Sequence, residues 1–325
     1  PVENNVGDLW AIMDFLNPGL LLNQRDFIER YQRPIAMGSD PSIKDELRHL
    51  TAPFILRRLK SDPEIVPDMP PKVEEKVYCT LTKKQAELYA AEIRDIDKGI
   101  AHKEGIARHG AVLSLLTRLK QICNHPEQYQ KITDAKGRTV SAEDSGKLMR
   151  LDEMLDDVIS AGECALVFTQ YAAMGEMLAK HLSEKFGFEV PFLHGQVPMK
   201  KRDAMVASFQ RKDGPPIFIV SIKAGGIGLD LTRANHVFHF DRWWNPAVEN
   251  QATDRAHRIG QKRTVFVHTF ICEGTLESRI DDLISSKLEL AEKLISSGDN
   301  WIASLDDKTL REIVELSSNI AEGGE

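Results

Sequence analysis

The sequence predicts an α/β fold, a parallel sheet with helices on both faces, preceded by helical segments. From Gly146 onward, short buried runs such as Ala165-Leu166-Val167-Phe168 and Ile217-Phe218-Ile219-Val220 alternate with stretches of helical spacing. Ahead of Gly146 the texture is mostly helical. Prolines at 63, 67, 70 and 71 stiffen a stretch between two parts of the chain and block helix propagation there.

In order, residues 6–31 carry Leu9, Ile12, Met13, Leu16 and Leu20 to Leu22 at helical spacing, interrupted by an Asn17-Pro18-Gly19 turn. Residues 43–50 form a second short helix ending near Pro53, and 54–60 is a basic connector. Residues 73–81 alternate as a strand. Residues 83–130 read as helical throughout, with Leu113, Leu116, Leu119 and Ile122 on one face, and 131–145 as a polar loop. Helices are then expected over 147–160, 172–186 and 199–210, and strands over 165–168, 189–193, 217–220, 237–240 and 265–270. Ligand chemistry in such a sheet belongs at the carboxyl ends of the strands.

Composition narrows the function. The 325 residues are 42% hydrophobic, enough for one large core or two moderate ones. No stretch approaches the roughly 18 apolar residues of a membrane span. The four scattered cysteines, Cys79, Cys123, Cys164 and Cys272, build neither a disulfide framework nor a zinc spacing, as expected of reduced thiols in a cytoplasmic protein. Lys+Arg 42 against Asp+Glu 49 gives a net charge of -7, which argues against phosphate-backbone binding over the whole surface but leaves room for a basic groove. The chain opens on Pro1, as a piece of a longer protein would.

Two segments carry candidate chemistry. After the strand ending at Val220, the run from Ser221 to Asp230 places Gly225, Gly226 and Gly228 where backbone amides can approach a phosphate; a tight turn needing positive φ would use the same glycines. Further on, the segment from Gln251 to Gln261 reads as a helix ending at Gly260, whose spacings of four and three put Gln251, Arg255 and Arg258 on one face. Two adjacent guanidiniums suit a transferring phosphoryl group between them, or form a solvated basic face with Asp254 neutralising one. Trp243 and Trp244 either wedge against a nucleic acid or pack on the sheet edge. His236 and His239, three apart on a strand, face opposite ways, so no metal site is assigned. Ser145-Gly146-Lys147-Leu148 lacks the upstream glycine and following hydroxyl of a phosphate loop, and no Gly-x-x-x-x-Gly-Lys-[Ser/Thr] occurs anywhere.

Taken in order, Val167-Phe-Thr-Gln-Tyr171, Leu193-His-Gly-Gln-Val197, the run from Ser221 to Thr232, Trp244-Asn-Pro246 and the segment from Gln251 to Gln261 resemble motifs IV to VI of the Swi/Snf-type remodelling ATPases. Cys123-Asn-His-Pro126 and Glu273-Gly-Thr-Leu-Glu277 resemble further signatures of that family, and the plain texture looks bacterial. The resemblance implies a RecA-like sheet with helical insertions and C-terminal bracing helices. It divides the chain into a helical segment following motif III of a missing first lobe (1–53), a basic, proline-rich linker (54–71), the start of the second lobe with its protrusion (72–144), the motif-bearing lobe (145–272), and a bracing helix and tail (273–325).

By resemblance, Gln251, Arg255 and Arg258 are catalytic arginine-finger residues and partners facing the phosphates. Gly226, Gly228 and Asp230 lie near the nucleotide. Thr169, Gln170, His194, Gly195, Lys223 and Trp244 serve the DNA path. Asp230 stands where many members carry asparagine, which suits a ribose hydroxyl better than a backbone phosphate. The implied function is the second motor lobe of a double-stranded DNA translocase, with ATP and Mg²⁺ bound mainly by the first RecA-like lobe and the isolated chain inactive. RNA polymerase or another DNA-bound protein is a candidate partner. A non-enzymatic DNA-binding or partner-docking module is the rival reading, and a single-strand helicase a second.

Overall fold

The computed structural model describes residues 6–37, 40–56, 69–94, 105–130, 140–222, 228–243, 246–286, 310 and 313–315. The chain divides into two compact units, Pro1–Pro67 and Asp68–Glu325, with the division inside the proline-rich stretch.

The first unit is helical: α1 (Val6–Leu16), α2 (Gln24–Phe27), α3 (Arg33–Met37) and α4 (Pro41–Thr51). Asn23 caps α2 by accepting from Asp26 N, and Asp40 caps α4 by accepting from Ser42 N, with Pro41 at the first helical position. Between α2 and α3 the helix widens over Ile28–Gln32, just before Pro34, whose missing N–H breaks the regular ladder. Met13, Leu21, Phe27, Tyr31 and Leu47 form this unit's core.

The second unit is built on six parallel strands: β1 (Lys72–Cys79), β2 (Ala165–Thr169), β3 (Phe192–Leu193), β4 (Ile217–Ser221), β5 (His236–His239) and β6 (Val265–Cys272). Their order is β1-β6-β5-β2-β4-β3. The helices are α5 (Lys83–Arg94), α6 (Gly105–Asn124), α7 (Pro126–Gln130), α8 (Gly146–Ser160), α9 (Ala172–Phe186), α10 (Met199–Gln210), α11 (Pro246–Thr253) and α12 (Leu276–Ser286). The uninterrupted apolar runs are explained by burial on two sides. Ala165, Val167, Ile217 and Ile219 enter a core shared with α5, α6, α8, α9 and α12, while Leu166, Phe168, Phe218 and Val220 enter an opposite core with Phe209 of α10 and Ala252 of α11. Most element bounds match the sequence reading within a few residues; 95–104 and 131–139 lie outside the described residues. On α6, Leu116, Leu119 and Ile122 are buried as read, joined by Val112 and Leu115, while Leu113 is only half-buried.

The carboxyl ends of the strands are fixed by buried charge. The Lys147 ammonium on α8, fully buried, donates to Glu277 Oε1 at 2.8 Å and to Asn124 Oδ1 at 3.3 Å, while Cys272 N–H donates to Glu277 Oε2 at 3.0 Å. Burial alone would push the lysine's pKa down, but the Glu277 carboxylate outweighs it and holds the pKa above its ordinary value. The Ser-Gly-Lys stretch is thus structural. Ser145 Oγ accepts from Leu148 N at 3.2 Å as an N-cap, and a Cβ on Gly146 would meet Thr80 O at 1.9 Å. Beyond β5, Arg242 donates to Glu249 at 2.8 Å and Asp281 at 2.7 Å, and Asp281 also accepts from Lys76 at 2.6 Å. Asp241, fully buried, accepts from Thr169 Oγ1 at 2.5 Å, Gln170 N at 2.9 Å and Asn124 Nδ2 at 3.3 Å, tying the end of β2 to that of β5 and to α6.

Lys147→Met is expected to destabilise the second unit by about 3 to 5 kcal/mol, because it strands the Glu277 carboxylate in a dry site. Lys147→Met/Glu277→Leu should recover most of that loss in urea unfolding. A double variant as unstable as the sum of the singles would overturn this reading of the pair.

His239 supplies a pH signature. It is buried, its Nε2 sits 2.9 Å from Thr253 Oγ1, and desolvation, helped by Arg242 and Lys72, pushes its pKa down to about 3. The unfolded chain, with an ordinary histidine pKa of about 6.5, binds more protons than the fold between these values, so stability rises with pH there and is lost as pH falls through about 6.5. Wild type should lose about 1 kcal/mol more than His239→Gln between pH 7.5 and 5.5 in urea titrations. Identical pH slopes would show that His239 is not held neutral.

Candidate active site

Two segments converge where the chain approaches β5. The glycine-rich run leaves β4 with Ile222 N donating to Thr169 O at 3.0 Å. Lys223, Gly225 and Gly226 lie outside the described residues, and the chain resumes at Gly228, which is exposed with nothing near a Cβ position. Asp230 is exposed; its carboxylate accepts from Thr232 N at 3.3 Å and its carbonyl from Gln210 Nε2 at 3.0 Å. Its carboxylate thus lies at the surface on a backbone held from both sides.

The arginine segment departs from the sequence reading. α11 stops at Thr253 and residues 254–260 are a succession of turns, so Gln251, Arg255 and Arg258 do not share one helical face. Tertiary bonds take the carbonyls that a longer helix would use: Leu231 N–H donates to Arg255 O at 3.0 Å and Gln261 Nε2 to Ala256 O at 3.1 Å. Gly260, at φ +103, reverses the chain in a region that suits glycine. Gln251 is half-buried on the last turn of α11, Arg255 is 8% exposed, and Arg258 is exposed. The arginines therefore differ in setting, one sunk into the fold and one on a solvent-facing turn. The Leu231 bond places their turn beside the segment that carries Gly228 and Asp230, on the amino-terminal approach to β5 and not at the carboxyl ends of the strands.

A second group of expected residues does lie at those carboxyl ends. Thr169 ends β2, but it is fully buried and its hydroxyl is bonded to Asp241, so a DNA contact by this side chain is corrected to a structural tie. Gln170 follows at the edge, half-buried, with Nε2 3.3 Å from Arg242 O. After β3, the His194 ring stacks on Phe192 with centroids 4.9 Å apart, and exposed Gly195 gives its carbonyl to Arg202 Nη2 at 2.7 Å. Trp243 is half-buried and packs against the core shared with α11; its backbone N–H donates to Glu249 at 2.8 Å. Trp244 lies outside the described residues.

His236 and His239 do open to opposite faces, the first toward His268 and Glu163, the second toward Thr253. Among the described residues, one group of potential metal ligands clusters, Cys123, Cys272 and Glu277, but the Lys147 ammonium already occupies the cation's place beside Glu277. It offers Mg²⁺ no set of oxygen ligands. All four cysteines are buried and free, and no helix among the described residues is long and apolar enough to cross a membrane.

Sequence reasoning passed over Asp241, Arg242, Glu249 and Gln261. The signal for the first two was present: a carboxylate and a guanidinium directly after a buried strand must find partners, which Thr169, Gln170 and Asn124 supply for Asp241 and Glu249 and Asp281 for Arg242.

Comparison with known proteins gives this geometry a family. Residues 1–128 match the model of the SNF2-related domain and residues 146–260 that of the helicase conserved C-terminal domain. Among similar proteins is YwqA of Bacillus subtilis, named for an ATP-dependent helicase or translocase activity, 44% identical over 98% of this chain and 34% of that protein. The chain spans between about a fifth and a third of the length of the curated relatives it matches. The Sulfolobus solfataricus SWI2/SNF2 ATPase core in complex with dsDNA is 43% identical over 98% of this chain and 65% of that one, with a TM-score of 0.68. The C-terminal domain of a SWI2/SNF2 ATPase from the same organism is 39% identical over 76% of this chain and 99% of that one, with a TM-score of 0.64. With a solved SWI2/SNF2 domain covered almost end to end, and the parallel sheet of that fold in place, the chain belongs to the SWI2/SNF2 family.

Proposed function

We propose that this chain is the second motor lobe of an ATP-driven double-stranded DNA translocase, in which Arg255 and Arg258 meet the phosphates of an ATP held by another lobe. The observation that carries the reading is the bond from Leu231 N–H to Arg255 O, which sets the arginine turn beside Gly228 and Asp230. Phosphoryl transfer spreads negative charge over the equatorial oxygens, and guanidinium forks are suited to it. Arg255, largely withdrawn from water, would act in a low dielectric where such attraction is strong; Arg258, exposed, would reach the phosphates only when the lobes close. Gln251 would orient the phosphates or the attacking water. Asp230, with its surface carboxylate beside Gly228, would accept from a ribose hydroxyl, and Gly226 would serve the same nucleotide.

Mg²⁺, when bound with ATP, neutralises phosphate charge; its ligands belong mainly to the phosphate-loop lobe. Gln170, His194 and Gly195 would line the DNA path at the carboxyl ends of β2 and β3, and Lys223 and Trp244 would serve the same path. The relative named for its complex with dsDNA supports duplex DNA as the track. Closure on ATP and opening after hydrolysis would then step one lobe past the other along the duplex, in the cytoplasm and without strand separation.

ATP hydrolysis with and without duplex DNA, by this chain alone and by the chain joined to its phosphate-loop lobe, tests the proposal. Activity is expected only in the joined, DNA-supplied protein. There, Arg255→Ala or Arg258→Ala should lower kcat by about 10³-fold or more while leaving DNA binding intact. A variant that keeps more than about a tenth of the activity would sink its arginine's role. Salt-sensitive DNA binding with no hydrolysis in any form would favour a non-enzymatic binding module.

A further inference from the structure

We propose that Gln261 is a positioning residue for Arg255 and Arg258, an internal clamp that replaces the helix the arginine turn lacks. This rests on the arginine reading above. Gln261 is 5% exposed, and both ends of its amide are occupied. Nε2 donates toward Ala234 O at 2.8 Å, Thr232 O at 3.0 Å and Ala256 O at 3.1 Å. Oε1 accepts from Lys262 N at 2.9 Å and Arg263 N at 3.0 Å. The backbone N–H of Gln261 donates to Arg258 O at 2.9 Å.

One side chain thus joins three segments: the strip just after Asp230, the turn between the two arginines, and the approach to β6. The need for it follows from where α11 ends. In a helix, the i to i−4 ladder would hold Arg255 and Arg258 at fixed azimuths. Past Thr253 that ladder breaks up: His257 N still donates to Thr253 O at 3.0 Å, but Arg255 N and Arg258 N turn to Ala252 O at 3.1 Å and Ala256 O at 3.2 Å. From outside the helix, the carbonyls of Arg255, Ala256 and Arg258 accept from Leu231 N, Gln261 Nε2 and Gln261 N. Two of these three bonds come from Gln261. The segment that would meet the ribose and the turn that would meet the phosphates are therefore locked to one another, and each keeps its register to the other when the lobe moves.

Only an amide at this reach both donates to the carbonyls and accepts from the two amides. Gln261→Glu keeps the acceptor but turns a carboxylate on three carbonyl oxygens, and Gln261→Met keeps length and removes both functions. In the chain as given, either change should speed hydrogen exchange of the amides over 256–261 by about tenfold or more while β2 amides stay protected. In the chain joined to its phosphate-loop lobe, kcat should fall by about tenfold to a hundredfold, the scale of a small misplacement of a catalytic group, with KM for ATP and affinity for duplex DNA within about twofold of wild type.

Unchanged exchange over 256–261 would overturn the clamp, as would faster exchange with kcat within about twofold of wild type. A matching loss of DNA affinity would overturn it too, by marking general destabilisation. Gln261→Met, which buries no charge, keeps the test decisive if Gln261→Glu fails to fold. Arg255→Ala and Arg258→Ala are measured alongside. Full activity in those variants sinks the arginine reading, whereas their inactivity beside fully active Gln261 variants sinks the clamp alone.

Discussion

The buried ion pairs behind the carboxyl ends of β2, β5 and β6 are what the rest of the lobe depends on. Lys147 and Glu277 are 0% and 1% exposed at their side chains, and Arg242, Glu249 and Asp281 are 9%, 9% and 4%. Charges this deep are costly unless each finds its counterpart in good geometry, so they weld the elements that carry them. Lys147 sits on α8, Glu277 opens α12, Asn124 ends α6, and Arg242 follows β5. The helical insertion and the bracing helix are thereby held to the sheet by charges that can be satisfied in few other arrangements. Their contribution is specificity of arrangement more than net stability, since well-packed apolar substitutes of equal volume often do as well.

Much of this fold was legible in the sequence because strands buried on both sides leave uninterrupted apolar runs, and glycine and proline mark their ends. The runs 165–168 and 217–220 needed no tertiary knowledge. The amino acids that bind α6, α8 and α12 together were not legible in the same way. Lys147 lies 23 residues from Asn124 and 130 from Glu277, and nothing in local spacing says that a lysine after Ser-Gly will be dry. A stretch that resembles a fragment of a phosphate loop is in fact a capped helix start, with its glycine required by the approach of Thr80 and its lysine by Glu277.

The candidate site divides along the same line. The identity and order of its segments were legible; the conformation of the arginine segment was not. Spacings of four and three are necessary for a shared helical face but not sufficient, because a helix persists only while its carbonyls have no better donors. Here Leu231 N–H and the Gln261 amide, from outside the helix, supply them. Thr169 was misassigned for a related reason: a hydroxyl at a strand end reads as surface chemistry, yet Asp241, just beyond the neighbouring strand, takes it, and burial raises the cost of leaving that carboxylate without donors.

Burial thus separates two uses of the same residue types. Arg242 and Lys147 spend their charge inside the protein, where it fixes geometry. Arg258 keeps its guanidinium at the surface, and Arg255 lies between these extremes on a backbone tied to Leu231. A net charge of -7 is compatible with an anion-facing turn for this reason: what matters at the turn is which cations remain outside, and on how rigid a support. The buried ionic layer supplies the rigid support at the strand ends, and the Gln261 amide supplies it at the arginine turn, so that a segment without regular secondary structure can still present charge at a fixed place.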